Sequence, residues 1–171
     1  MRKALFLDRD GILNKVIIRE GVVSSPRSLD EFNINEEARS LIESANRAGY
    51  IVVVVTNQPD VEKNLLATPT LEQMHDVLRT ELGIEFFQVC TSTNDADPRR
   101  KPNPGMFLDA ARELQIDLRG SLFVGDGKKD LAAGQRAGVT TILLKTGYNI
   151  DVQKLADHAV DSLNDVASHF R

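Results

Sequence analysis

At 171 residues the chain is long enough to bury one sizeable core, and its 42% hydrophobic and 27% charged residues are ordinary for a globular protein. A net charge of -4 and a pI near 5.4 exclude a general surface for nucleic acid or anionic membrane, yet leave room for a small basic pocket that takes an anion. One cysteine, Cys90, allows no internal disulfide, no apolar run approaches the roughly 18 residues that span a bilayer, and no signal-peptide pattern opens the chain, so a cytoplasmic protein is expected.

The first element is the stretch Lys3-Ala4-Leu5-Phe6-Leu7-Asp8-Arg9-Asp10-Gly11. Ala4 to Leu7 is too continuous for a half-exposed strand and too short for a typical helix, and predicts a strand buried on both faces. Asp8 and Asp10 then sit at its carboxyl end, where open α/β sheets bind ligands. Two carboxylates crowded there call for a cation. Val16 to Arg19 and Val22-Val23, flanking Glu20-Gly21, predict a hairpin beside this strand. Asn33 or Asn35 caps the next helix, with Ala38, Leu41, Ile42 and Ala45 as its apolar stripe and Gly49 as its stop. Tyr50 to Val55 reads as a second strand, ending in Thr56-Asn57-Gln58-Pro59.

A helix from Thr70 to about Leu82 follows, stopped by Gly83, and Phe86 to Cys90 is a third strand. A polar loop leads through Arg100-Lys101-Pro102-Asn103-Pro104-Gly105 into a helix from about Met106 to Leu114. Ser121 to Val124 is a fourth strand, closed by Gly125-Asp126-Gly127. Lys129 to Ala137 is helical with Gly138 as its stop, and Thr140 to Leu144 is a fifth strand. Asp151 to Ala156 and Leu163 to Phe170 read as short closing helices. The alternation predicts a three-layer, Rossmann-like α/β fold, with a mainly parallel sheet of at least five strands and helices on both faces. With no repeat, linker or low-complexity tract, residues 1–171 read as one domain.

All the chemically suggestive residues follow strands, so Asp8, Asp10, Thr56, Arg100, Lys101 and Asp126 fall along one edge of that sheet. Two acids, a hydroxyl, a lysine and a third acid on one rim suit phosphoryl transfer through a covalent aspartyl phosphate. A carboxylate can attack phosphorus and divide one hard step into two. A second acid can protonate the leaving oxygen and then deprotonate water. Carboxylates from separate strand ends suit Mg²⁺, while Thr56 and Lys101 can serve the phosphoryl oxygens.

These residues resemble the motifs of the haloacid dehalogenase (HAD) superfamily. Asp8-Arg9-Asp10-Gly11 matches the first motif, Thr56-Asn57 the second, Lys101-Pro102 the third, and Gly125-Asp126 with Asp130 the fourth. Order and approximate spacing agree along most of the chain. Leu13-Asn14, the Thr56-Asn57-Gln58 triplet, Arg100 through Met106 and Lys145-Thr146-Gly147 narrow the resemblance to the branch that holds the histidinol-phosphate and heptose-bisphosphate phosphatases. The resemblance implies Asp8 as nucleophile and Asp10 as general acid/base. It implies Mg²⁺ on Asp8, the backbone carbonyl of Asp10, and Asp126. It also implies Thr56 and Lys101 on the transferring phosphoryl, Asn57 beside it, Arg100 reaching the substrate, and Asp130 orienting Lys101 or supporting the metal.

Two segments depart from that branch. Relatives carry a zinc loop with a Cys-x-His and a Cys-x-Cys pair before the Arg-Lys-Pro, whereas only Cys90 remains here and Asp97-Pro98-Arg99 replaces the later pair. One thiolate cannot build a tetrahedral site, so no structural zinc is expected. After Gln58, the stretch Pro59-Asp60-Val61-Glu62-Lys63-Asn64 replaces the small residue, Gly-Ile and basic stretch of relatives. Neither intermotif gap has room for a cap domain, which predicts a capless core screened by the hairpin flap.

Cys90 reads as a small buried residue, and Met106, Phe107, Leu5 and Phe6 as core. His75, His158 and His169 lack metal-ligand spacing and are expected at the surface. Asp130 also fits a plain role at a helix N-terminus. The leading reading is a Mg²⁺-dependent phosphomonoesterase acting on a small phosphorylated metabolite, with a heptose bisphosphate first and histidinol phosphate second. A catalytically idle phosphate-binding member is the alternative of another class. A response-regulator receiver uses similar residues in a different order, with its acceptor acid in mid-sequence. No nucleic-acid or membrane partner is expected, and the chain is expected to be a monomer or small homo-oligomer.

Overall fold

In the computed structural model, which describes residues 1–171, the N-terminal strand forms as β1 (Lys3–Leu7). The chain continues through a hairpin, β2 (Ile17–Arg19) and β3 (Val22–Ser24), then α1 (Ala38–Arg47), β4 (Tyr50–Asn57), α2 (Thr68–Leu82) and β5 (Phe86–Cys90). It proceeds through α3 (Gly105–Leu114), β6 (Leu122–Gly125), α4 (Lys128–Ala137), β7 (Thr140–Leu144) and β8 (His158–Val160). Six strands form one sheet in the order β5-β4-β1-β6-β7-β8, and every pairing in it is parallel.

Strand periodicity divides the core between the two faces. Leu5, Leu7, Val52, Val54 and Val124 join the apolar stripes of α1 and α2 on one face. Ala4, Phe6, Val53, Val55 and Phe123 meet α3 and α4 on the other. There Phe107 packs 4.9 Å from both Phe6 and Phe123, ring centroid to ring centroid. The whole run Ala4 to Leu7 is buried, as a strand between two helical layers requires. Neither asparagine caps α1: the cap position is Glu37, whose side chain makes no cap bond, and Asn35 Oδ1 accepts from the Glu37 amide at 3.2 Å in the turn before it.

The hairpin forms with Ile17 opposite Ser24 and Arg19 opposite Val22. Glu20 and Gly21 both take positive φ in the turn, the conformation that matches strand twist in a two-residue loop. Arg19 anchors it, donating through both terminal nitrogens to Glu31.

The short closing helices form with 3-10 geometry, Ile150–Leu155 and Leu163–His169, and β8, which the sequence did not suggest, lies between them at the sheet edge. Leu163 and Val166, three residues apart, are the buried pair of the second turn, a spacing that suits a three-residue period. A three-residue strand beginning with His158 offers no periodicity to read. His75 is buried, not at the surface. It belongs to the helical stripe Leu71, Met74, His75, Leu78, Leu82 of α2, and its ring stacks on Phe87 at 5.0 Å.

The chain moves outward from β1 to β4 and β5, then returns to place β6 on the other side of β1. The strand order therefore reverses between β1 and β6, and such a switch point opens a crevice at the carboxyl ends of the strands. Asp8 follows β1 and Asp126 follows β6.

Candidate active site

Lys101 enters the crevice from the loop between β5 and α3, and Asn57, the last residue of β4, holds it there. The Asn57 side chain donates to the Lys101 carbonyl at 2.9 Å and accepts from its amide at 3.0 Å, a pairing that imitates one more rung of sheet. The Lys101 ammonium then donates to Asp8 Oδ1 at 2.8 Å, Asp130 Oδ1 at 2.6 Å and the Val55 carbonyl at 3.0 Å. All three of its protons are thereby used. Burial alone would lower this ammonium, but Asp130 and Asp8 overcome it and hold Lys101 above its ordinary value. Asp8 accepts from Lys101 and from the Arg9 amide, both on Oδ1. Its other oxygen carries no protein donor.

Asp130 has two tasks. Besides receiving Lys101, it accepts from the Gly127 and Asp126 amides through Oδ2 at 3.0 and 3.3 Å. It thus ties the N-terminus of α4 to the lysine.

Asp10 lies one residue beyond Arg9 in a different environment. Its Oδ1 accepts from Arg9 Nε at 3.1 Å, Arg9 Nη2 at 2.9 Å and Asn14 Nδ2 at 2.9 Å. Its Oδ2 accepts from Ser25 Oγ at 2.8 Å and Gln58 Nε2 at 2.9 Å. Burial would raise this carboxyl, yet the Arg9 charge and the donors around it hold it below the ordinary carboxylate range. Arg9 itself is 0% exposed, and it reaches Gln58 Oε1 at 3.1 Å, the Met74 sulfur at 3.8 Å and His75 Nε2 at 3.5 Å. Gln58 Nε2 also donates to Thr56 Oγ1 at 2.9 Å, so Thr56 stands behind Asp10 in the same buried network.

Asp126 completes the rim. Tyr148 Oη donates to its Oδ2, and Asn149 Nδ2 donates to its backbone carbonyl at 2.8 Å. Gly11 explains how β1 and β6 can deliver their acids so close together. Its φ is +87°, and a Cβ there would lie 1.9 Å from Asp126 Oδ2, so no other residue fits. One carboxylate oxygen from each of Asp8, Asp126 and Asp130 lies within 4.8 Å of the others. Burial, and then the charge of Asp130, pushes Asp126 up to about 7. The same two causes push Asp8 well above its ordinary value despite Lys101. Three crowded, poorly hydrated carboxylates are a donor set suited to a hard divalent cation such as Mg²⁺.

These groups face a cavity of about 190 Å³ whose wall includes Asp8, Asp10, Asn57, Lys101, Asp126 and Asp130. Ser24 and Ser25, at the foot of the hairpin, close it on one side. A second cavity of about 590 Å³ adjoins it across Val23, Ser24 and Ser25, bounded by Arg19, Arg27, Asp60 and Lys63. Of the residues singled out from sequence, Thr56 is buried behind Gln58 and does not reach the cavity wall, and Arg100 stands elsewhere. Its Nε pairs with Asp95 at 3.0 Å and its Nη1 with the Ser92 carbonyl at 2.8 Å, which turns it into its own loop.

Arg9, Gln58, Ser25 and Tyr148 were not singled out by the sequence reading. Arg9 and Gln58 carried a signal, since both lie inside the motifs that were quoted. Ser25 and Tyr148 arrive on loops distant in sequence, where no local pattern marks them.

A family profile described as HAD-hydrolase-like matches residues 98–167. The chain is 32% identical to the D-glycero-beta-D-manno-heptose-1,7-bisphosphate 7-phosphatase of Pasteurella multocida, over 97% of this chain and 95% of the relative. It is 34% identical to the D-glycero-D-manno-heptose-1,7-bisphosphate 7-phosphatase of Chlorobaculum tepidum, over 94% and 90%. Among solved structures, the D,D-heptose 1,7-bisphosphate phosphatase of B. bronchiseptica, complexed with magnesium and phosphate, superimposes with a TM-score of 0.83 at 30% identity. That match covers 98% of this chain and 97% of the other. A HAD-like phosphatase from Mesorhizobium loti gives 0.77 at 30% identity, over 99% and 86%.

Proposed function

The chain belongs to the HAD-like phosphatases, in the group that includes the heptose-bisphosphate 7-phosphatases, and from that premise we propose a Mg²⁺-dependent phosphomonoesterase working through an aspartyl phosphate on Asp8. The observation that carries this reading is the convergence of Asp8, Asp10, Lys101 and Asp126 on one cavity at the switch point of the sheet.

In this reading the donor-free oxygen of Asp8 attacks the phosphorus of a bound monoester, and the bond from phosphorus to the leaving oxygen breaks. Asp10 gives that oxygen a proton, then takes one from the water that attacks the phosphoenzyme. The second attack breaks the bond between phosphorus and Asp8, freeing inorganic phosphate and restoring the carboxylate. The surroundings of Asp10 favour the second of these proton transfers over the first. Five donors favour the charged form that accepts a proton. When the proton sits on Oδ2, the Ser25 hydroxyl can turn from donor to acceptor, whereas the Gln58 amide cannot. Lys101 supplies positive charge beside the attacking carboxylate, while Thr56, buried and bonded to Gln58, would act through the network behind Asp10. Asn57 aims Lys101 and Asp130 holds it. Asp8 and Asp126, with the Asp10 carbonyl, would hold Mg²⁺, which supplies charge neutralisation for the phosphoryl oxygens.

The substrate we favour is a sugar phosphate of the D-glycero-D-manno-heptose 1,7-bisphosphate kind. The larger neighbouring cavity gives room for the remainder of such an anion, and Lys63 stands on its wall beside Arg19 and Arg27, which are paired with Glu31 and Asp60. The same reading assigns no structural zinc. Cys90 is a lone buried thiol, and the loop after it is stitched by polar groups, with Asn103 Nδ2 donating to the Asp95 and Asp97 carbonyls at 2.9 and 2.8 Å.

The test is a screen for phosphate release from heptose bisphosphate, other sugar phosphates and histidinol phosphate, with Mg²⁺ and with chelator. Heptose bisphosphate is expected to lead, chelator to stop it, and Asp8→Asn to abolish turnover in a protein with an unchanged circular dichroism spectrum. Release that survives Asp8→Asn would remove Asp8 as nucleophile. No Mg²⁺-dependent release from any substrate would leave the idle phosphate-binding reading in its place.

A further inference from the structure

Lys101 serves two of the three crowded carboxylates, Asp8 and Asp130, and does not hydrogen-bond the third. Asp126 has a different partner, the hydroxyl of Tyr148, which is the only side chain donating to its carboxylate. The tyrosine is not placed there by core packing, because the residue is 41% exposed while its hydroxyl points inward to the acid. The loop bearing it is fastened independently. Asn149 Nδ2 donates to the carbonyls of Asp126 and Leu144, both at 2.8 Å, and its Oδ1 accepts from the Thr146 amide at 2.9 Å. One short loop therefore grips Asp126 by its main chain and its side chain at once. Gly11 keeps the space open, since a Cβ there would also come within 3.0 Å of Tyr148 Oη.

We infer that Tyr148 is a positioning residue for metal binding: its hydroxyl fixes the rotation of the Asp126 carboxylate, taking Oδ2 so that the other oxygen is presented to a divalent cation. The inference rests on the Mg²⁺-dependent reading given above. A neutral donor suits this task. It lowers the repulsion that Asp126 suffers from Asp8 and Asp130, yet adds no positive charge to oppose a cation.

The experiment is an equilibrium titration of the full chain with MgCl₂ by calorimetry, on the parent, Tyr148→Phe and Asp126→Asn, with metal-free melting temperatures measured in parallel. Tyr148→Phe keeps the ring and removes only the donor. It is expected to weaken Mg²⁺ binding by about 10-fold or more, the range found when a partner of a ligand is lost. Its metal-free melting temperature is expected to fall modestly, because the buried Asp126 carboxylate loses its one side-chain donor, and its kcat at saturating Mg²⁺ to stay within a few-fold. A merely structural tyrosine would shift the melting temperature and leave Mg²⁺ affinity alone, which would overturn the inference. Tighter Mg²⁺ binding by Tyr148→Phe would overturn it as well, by making the phenol a competitor for Asp126. If the parent itself shows no Asp126-dependent Mg²⁺ binding, the metal-dependent function fails first and this inference with it, a result distinct from the other two.

Discussion

At the scale of single residues, the site is organised by a buried cation, Arg9, whose enclosure its charge alone would not suggest. Arg9 lies between two acids in a motif, where an exposed, solvated arginine is the ordinary guess. It is instead enclosed, and its guanidinium reaches Asp10, Gln58 and His75. His75 shows what that enclosure does to a neighbour. Burial first, and then the charges of Arg9 and Arg79, lower its imidazole to about 4. The sign follows from linkage: the unfolded chain takes up a proton near pH 6.5 while the folded one resists until about 4. His75 therefore leaves stability intact above pH 6.5 and removes about 3 kcal/mol as pH falls to 4, some 2 kcal/mol of it by about pH 5. Urea denaturation of the parent and of His75→Gln at pH 7 and pH 5 checks this. The variant should lose less stability over that interval, and equal losses would sink the assignment. The placement of Asp8, Asp10 and Asp126 on one rim was legible because each lies at or just past a strand end, and a strand end is readable from composition; Lys101 reaches the same rim from the loop after β5. His75 was misread because its polar type concealed a helical stripe that its spacing from Leu71, Met74, Leu78 and Leu82 completes. Arg100 was legible as a basic residue, but Asp95 and Ser92, which turn it aside, belong to an irregular loop with no period.

At the scale of elements, the five expected strands and the four longer helices formed within a few residues of the bounds read from sequence. Continuous β-branched runs and 3.6-residue stripes are both strong signals. The C-terminal part was less legible because β8 and the two 3-10 turns are too short to carry either period. Docking of α4 shows how closely an element can be fitted to the sheet. Gly134 lies in mid-helix, where glycine ordinarily costs roughly 1 kcal/mol relative to alanine. Its missing side chain admits Thr141 and Phe123, and a Cβ there would meet their carbons at 2.7 and 2.9 Å. Gly134→Ala should therefore destabilise, reversing the usual sign, by about 1–3 kcal/mol as α4 is pushed off β6 and β7. Since α4 begins with the Asp126–Asp130 segment, that push should reach the site. A fall in melting temperature, with weakened Mg²⁺ binding, is the expected reading; a rise in melting temperature would show that helix propensity outweighs the contact. The hairpin is tied to the site as well: its apolar residues Ile18 and Val22 are 60% and 66% exposed, while its foot, through Ser25, bonds to Asp10.

At the scale of the whole molecule, the sheet topology concentrates unfavourable charge at one place, where the proposed cation would relieve it. The reversal of strand order between β1 and β6 opens the crevice, and the acids at those two strand ends then face each other with Asp130 beneath. Without a cation, burial and mutual repulsion raise Asp8 and Asp126, the latter to about 7. These are raised carboxyls, so the linkage runs opposite to that of a salt-bridged acid. The metal-free fold holds protons that the unfolded chain has already released, and its stability falls as pH climbs from about 4 toward 7. Mg²⁺ competes with those same protons, and anything that binds only the folded state stabilises it. Stabilisation by excess Mg²⁺ should consequently be small near pH 5, where Asp126 is protonated, and should grow toward pH 8. Melting temperatures with MgCl₂ and with chelator, taken across that range, measure it directly. In Asp126→Asn the metal-induced gain should be small at every pH, because the group whose proton Mg²⁺ displaces has gone. A gain in the parent that is equally large at pH 5 and pH 8 would mean that the cation binds somewhere other than the crevice between β1 and β6.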